Sequence, residues 1–163
     1  MRLDKAIESG MGMTEVSWLR HANPWSVWTR LLSVPAFALA VWSREWIGLW
    51  CLAPIALVVG FLWLNTRIFS PAHDMERWET RAIMGERLWL KRRETPLPAH
   101  HARATFWIIA GSSLGILPLI GGLYWLDVWA TALGIVMIVG GQIWFLDRLA
   151  WLYADSVGHM QQD

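Results

Sequence analysis

The stretch "WIGLWCLAPIALVVGFLWL", Trp46 to Leu64, runs for 19 residues without a charge. As a helix it rises about 28 Å, close to the ~30 Å hydrocarbon core of a bilayer. Two further stretches read the same way. "ATFWIIAGSSLGILPLIGGLYWL" (Ala104 to Leu126) and "VWATALGIVMIVGGQIWFL" (Val128 to Leu146) are also free of charge. The stretch before Trp46 is shorter. "LLSVPAFALAVW" (Leu31 to Trp42) has 12 residues, a rod of only about 18 Å. It crosses a bilayer only if its helix starts near Trp25 and takes in Arg30, whose guanidinium then reaches back toward the headgroups. A buried half-span is the competing reading. The lead-in "NPWSVW", rich in interfacial tryptophan, favours a full span.

The composition agrees. Hydrophobic residues make up 55% of the 163, charged residues only 17%, and there are 14 tryptophans. A soluble domain carries about 25% charge. Indole is amphipathic and sits well where one edge is wet and the other apolar. A net charge of +1, with acids interleaved among the arginines, leaves no basic stripe for nucleic acid. Cys51, the single cysteine, lies in an apolar run; it excludes an intrachain disulfide and cannot alone make a zinc site. The start, "MRLDKAIESG", holds Asp4 and Glu8 and no apolar core, so no cleavable signal peptide is expected.

The expected fold is all-α: a single membrane domain over 1–163, an integral four-helix bundle of two helical hairpins. The spans fall at about 25–42, 46–64, 104–126 and 128–146, and 65–103 is a cytosolic or interfacial segment. Charge supplies the orientation. Of 14 Lys and Arg, all but Arg44 fall on one side of such a bundle. Positive residues are retained in the cytosol. Both termini and the middle segment are therefore expected inside, with the chain in the inner (plasma) membrane. The hairpins echo each other faintly: "WLNTR" (Trp63 to Arg67) and "WFLDR" (Trp144 to Arg148) each place Arg four residues after Trp. Shared interfacial chemistry accounts for this as well as a duplication does.

Between the hairpins, "MERWETRAIMGERLWLKRR" (Met75 to Arg93) alternates charge and tryptophan. At about 100° per residue, Met75, Trp78, Ala82 and Trp89 share one arc, Arg77, Arg81, Arg87 and Lys91 lie opposite, and Glu79 and Glu86 border the apolar arc. An amphipathic helix on the cytosolic leaflet is expected, with Gly85 as a weak point, two short helices as the alternative, and prolines on either side as breakers.

Four words, "NPWSVWTR" (Asn23 to Arg30), "LNTRIF" (Leu64 to Phe69), "GERLWL" (Gly85 to Leu90) and "WFLDR", resemble a family of small multi-span bacterial and archaeal membrane proteins of unknown function. The resemblance spreads over residues 23 to 148. It implies a multi-span membrane protein and supplies no activity and no catalytic residue.

The chemistry available is thin. The spans are nearly free of ionisable groups, which disfavours a coupled transporter. Gly111 and Gly115, with Gly121, Gly122, Gly140 and Gly141, permit close helix contact within the bundle or between copies. Pro35, Pro54 and Pro118 are candidate kinks. Polar groups gather at the cytosolic rim: Arg30, Asn65, Arg67, Glu86, Asp147 and Arg148, with His21, Asn23, His73, His100 and His101. Asp147 and Arg148 read as the charged end of the last span, or as a latch to Arg30, Arg67 or Glu86. No defined catalytic motif appears. His100 and His101 should point about 100° apart on a helix, which makes a shared metal awkward. No metal or cofactor is expected. The favoured reading is a non-enzymatic membrane protein working through lipids, a second copy or other membrane proteins. The alternatives are an enzyme acting on a lipid-like substrate at the cytosolic leaflet, for which Asp74, Glu86, Arg87 and Asp147 are the weak catalytic candidates, and a small oligomeric transporter or channel.

Overall fold

A computed structural model describes residues 14–94 and 96–160; the opening "MRLDKAIESG" lies outside them. Among the described residues all regular structure is helical: α1 (Glu15–His21), α2 (Pro24–Trp42), α3 (Arg44–Ile47), a 3-10 turn (Gly48–Cys51), α4 (Leu52–Ile68), α5 (Trp78–Leu90), α6 (Ala99–Ser113), α7 (Ile116–Trp125) and α8 (Val128–Met160). Three helical runs are long and apolar enough to cross a membrane: Pro24–Ile68, Ala99–Trp125 and Val128–Gly158.

The first run doubles back on itself. Asn23 caps α2, its side chain accepting from the Trp25 N–H at 2.9 Å, and Pro24 fills the first helical position, where no N–H is needed. The 19 residues of α2 rise about 28 Å and include Arg30, the extension that a full span requires. The chain turns through α3 and Gly48, whose φ of 56° suits glycine. Then α4 returns alongside α2. The fully buried Asn65 ties the pair: Ser26 Oγ donates to its Oδ1 at 2.5 Å, and its Nδ2 donates to Thr29 Oγ1 at 2.9 Å. Of the three prolines expected to kink helices, only Pro35 is interior; Pro54 and Pro118 lie in the first turns of α4 and α7, where proline costs little.

The second and third runs form an antiparallel hairpin held by small residues. A Cβ on Gly141 would stand 2.2 Å from Ser112 Cβ, one on Gly134 2.5 Å from Leu119 N, and one on Gly122 2.3 Å from Thr131 N. A Cβ on Gly115 would stand 2.7 Å from Met137 Cβ. At these points the glycines let the helices approach closely. At the far end of the hairpin Leu126 turns left-handed, and Asp127 caps α8 by accepting from the Ala130 N–H at 2.9 Å. Arg44, the one basic residue at this end, donates to the Leu123 and Tyr124 carbonyls in the last turn of α7. A cation there satisfies orphan carbonyls and meets the negative end of the helix dipole.

Two expectations are corrected by the lower half of the molecule. The last helix does not end at Asp147–Arg148: α8 continues for 33 residues, about 50 Å, well beyond a bilayer's thickness. On that extension lies α5, an unbroken helix through Gly85. A Cβ at Gly85 would stand 1.9 Å from the Leu149 carbonyl oxygen, so glycine is what lets α5 seat on α8. The face it buries is Glu79, Thr80, Ala82, Ile83 and Gly85; of the expected arc only Ala82 is buried, Trp78 and Trp89 being half-buried and Met75 exposed, and no residue from Trp78 to Leu90 is fully exposed. Of the basic residues expected opposite, Arg77 is exposed and Arg81, Arg87 and Lys91 are partly exposed, while α1 and α8 pack on α5. Helix α1 supplies Trp18 and Ala22 to a core with Val27, Leu31 and Ile83.

Burial is thus uneven. The most apolar window of Pro24–Ile68 has none of its residues buried, whereas Leu149 and Leu152 at the far end of α8 are fully enclosed. Exposed tryptophans lie toward both ends of the runs: Trp46, Trp50, Trp125 and Trp129 at the turn end, Trp25, Trp28, Trp63 and Trp144 at the other, with Trp107 and Trp151 exposed outside these two groups. On α8, Trp129 and Trp144 are about 22 Å apart along the axis.

Candidate functional site

The polar rim is built where α1, α2, α5 and α8 converge, and it consists of separate small networks. In the first, Arg30 folds back toward the start of its helix. Its Nε donates to the Ser26 carbonyl and its Nη2 to the His21 carbonyl, both at 3.1 Å, and Nη1 abuts the His21 ring. His21 Nε2 lies 3.8 Å from Glu86 Oε2. Burial and the neighbouring Arg30 charge hold the His21 pKa below its ordinary value, against the opposing pull of Glu86. Arg30 and Glu86 also line a pocket of about 240 Å³ with Ile83, Gln142 and Phe145.

The second network is aromatic. Trp28 of α2 stacks on Trp78 of α5, ring centroids 6.1 Å apart. Each indole N–H has its own carboxylate: Trp28 donates to Glu79 at 3.0 Å and Trp78 donates to Asp147 at 3.1 Å. Burial alone would raise the Glu79 pKa. Its own backbone N–H, Trp28 and the Arg77 guanidinium outweigh that and keep it below the usual carboxylate range. Trp28, Trp78, Trp144 and Asp147 line an open cleft of about 450 Å³ floored by Gly140 and Ile143. A Cβ on Gly140 would meet nothing within 4 Å, so the glycine faces open space there.

The remaining groups are distributed. Arg87 makes a two-pronged pair with Glu15 of α1, and that hydrogen bond lowers the Glu15 pKa. Arg67 lies 4.0 Å over the Trp63 ring and Arg148 4.8 Å over Trp151. Asp74 is exposed and accepts from the Glu76 N–H. His100 and His101 meet Asp155, with 2.8 Å from His101 Nε2 to Asp155 Oδ2.

The catalytic candidates Asp74, Glu86, Arg87 and Asp147 therefore fall into four different environments. Of the rim cluster, Arg30 and Glu86 share a pocket, Asn65 locks the first hairpin, Arg67 and Arg148 rest on tryptophans, and Asp147 holds Trp78. Asp147 and Arg148 make no latch to Arg30, Arg67 or Glu86 among the contacts described. Among the six glycines expected at helix contacts, Gly115, Gly122 and Gly141 stand at close approaches, Gly121 meets only Trp125 of its own helix, and Gly111 and Gly140 face open space. Sequence reasoning missed α1, the Trp28–Trp78 stack and Asp155. The run "TEVSWLRH" did carry a helix start, since Thr14 caps α1 by accepting from the Ser17 N–H.

These features define an all-helical protein with apolar runs of membrane-crossing length and a tryptophan-lined polar rim. The chain belongs to DUF6653, a family of unknown function whose model matches residues 2–163. No curated protein and no solved structure matches it.

Proposed function

We propose that this is a four-span inner-membrane protein that binds lipid and catalyses no reaction. Helices α2, α4, α6–α7 and α8 cross the bilayer as two hairpins, with both termini and 65–103 in the cytosol. Support comes from the unburied apolar runs, from the exposed tryptophans toward both ends of the runs and from the positive charge at one end. Span α2 keeps Arg30 at the cytosolic end, where it reaches back toward His21.

The observation that carries the lipid reading is the cleft between Trp28, Trp78 and Trp144. It opens beside the inner tryptophans, where headgroups lie. Indole faces and a carboxylate, Asp147, together favour a cation. The ligand class is therefore a lipid with an amine or ammonium headgroup, its acyl chains against the outer faces of α2 and α8. Open ground at Gly111 leaves room for a second copy or another membrane protein. An enzyme at the cytosolic leaflet is the weaker reading, because Asp74, Glu86, Arg87 and Asp147 do not share one pocket.

The test is purification in native-lipid particles, followed by mass spectrometry of everything retained. The expected result is enrichment of amine-headed lipid over the host membrane, lost in Asp147→Asn and Trp144→Ala. Retained lipid of bulk composition, or a stoichiometric soluble small molecule in its place, contradicts the reading.

A further inference from the structure

His100 and His101 lie in the first turn of α6, just after Pro98, and Asp155 stands near the end of α8. Antiparallel packing of the two helices brings them together beyond the apolar runs. One ligand atom from each lies within 4.8 Å of the other two. His101 is nine-tenths buried or more, at 1% exposure, and so is fixed in place, while His100 and Asp155 are open to solvent. The two rings are 4.2 Å apart between centroids and tilted by 40°. The divergence expected of adjacent helical residues is therefore not what this turn shows.

We propose that His100, His101 and Asp155 bind a divalent transition-metal ion of the Zn²⁺ type. Zinc takes imidazole nitrogen at about 2.0–2.1 Å and carboxylate oxygen at about 2.0–2.2 Å, so two ligands of one tetrahedral ion stand roughly 3.3 Å apart. Asp155 Oδ2 lies 2.8 Å from His101 Nε2 and 4.0 Å from His100 Nε2, distances on either side of that value. The widest separation in the group reaches 4.8 Å, so closing the site needs the first contact to open by about half an ångström and the exposed His100 ring to swing inward by up to about 1.5 Å. Two imidazoles and a carboxylate suit zinc and its d-block neighbours better than calcium or magnesium, which take oxygen. Three protein ligands leave a fourth position for water. His101 Nδ1 is buried without a partner, so the site lacks the usual supporting acceptor, and its affinity is set roughly 10–100-fold below that of a fully supported one. An ion here clips the start of α6 to the end of α8.

The test uses the full chain in detergent, purified on a tag without histidine, stripped with EDTA and titrated with Zn²⁺. The expected result is one ion per chain by elemental analysis, with affinity at least about tenfold weaker in His100→Ala and in Asp155→Asn. Both replaced side chains are largely exposed, so circular dichroism should show intact helices. Zn²⁺ should also raise the unfolding temperature of the natural chain and not of the variants. No bound ion after dialysis would overturn the proposal. So would unchanged affinity in both variants, which marks adventitious binding elsewhere. Lipid retention at the tryptophan cleft is a separate readout and does not depend on the ion.

Discussion

The two halves of this molecule pack by opposite rules. The half nearest the termini has a core of ordinary kind: Trp18, Ala22, Val27, Leu31 and Ile83 are enclosed, and Leu149 and Leu152 with them. Each buried valine, leucine or isoleucine among them contributes about 1.5–3 kcal/mol by leaving water. The half nearest the turns is inverted. Leu117 is 70% exposed and Leu57 73%, while the closest contacts between helices are made at glycines. In the proposed bilayer, lipid is as apolar as leucine, so burying leucine would gain nothing there and close backbone approach would take over. On the proposed reading the difference is one of solvent, water around the first half and lipid around the second.

Substitutions sharpen that contrast, the largest effect first. Gly85→Leu and Gly122→Val should abolish folding, because even a Cβ overlaps a neighbouring backbone atom; yield of monodisperse protein in detergent checks this. Gly111→Ala, where nothing lies within 4 Å, is the matched control and should leave the yield unchanged. Ile83→Ala should cost about 2–4 kcal/mol in chemical denaturation. Leu117→Asp should cost about 2.5–3.5 kcal/mol in membrane insertion, although the same change on a watery surface is harmless. Leu117→Ala should leave the fold's stability unchanged. Asn65→Ala should cost about 1–2 kcal/mol, since Ser26 and Thr29 lose their cross-helix partner.

The smallest effect is acid sensitivity at His21, which faces Arg30 from α2 and Glu86 from α5. Its folded pKa lies below the ordinary 6.5. The unfolded chain therefore takes up the proton first, and stability is full above about pH 6.5 and falls as pH drops below it. His21→Gln should flatten that slope in thermal unfolding followed by tryptophan fluorescence. Glu15 and Glu79, also depressed, add a further loss only as pH falls below about 4.5.

The apolar runs were legible because charge-free length is a one-dimensional property. So was the start of α2, where "NPW" carries a cap and a first-position proline. The character of α5 was not legible. Its amphipathicity is real, but sequence does not say whether lipid or another helix covers a face, and Gly85 read as a weak point rather than as a seat for Leu149. The end of α8 was hidden because "DR" looks like a membrane border, although nothing in Asp147–Arg148 stops a helix. The rim residues were recognised as polar, but their pairing depends on distant segments: Trp28 with Glu79, and Trp78 with Asp147. His100 and His101 were judged by ideal helix geometry, and Asp155, more than 50 residues away, gave no local signal.

Everything said about lipid rests on the chain crossing the bilayer four times with residues 65–103 inside. Single cysteines test it directly, in a Cys51→Ser background: Glu45→Cys in the turn between α2 and α4, and Arg93→Cys in the link after α5, both exposed positions. A membrane-impermeant maleimide added to intact cells should label Glu45→Cys and leave Arg93→Cys unreacted until the membrane is opened. Labelling of Arg93→Cys in intact cells, or equal labelling of both positions, would contradict the account.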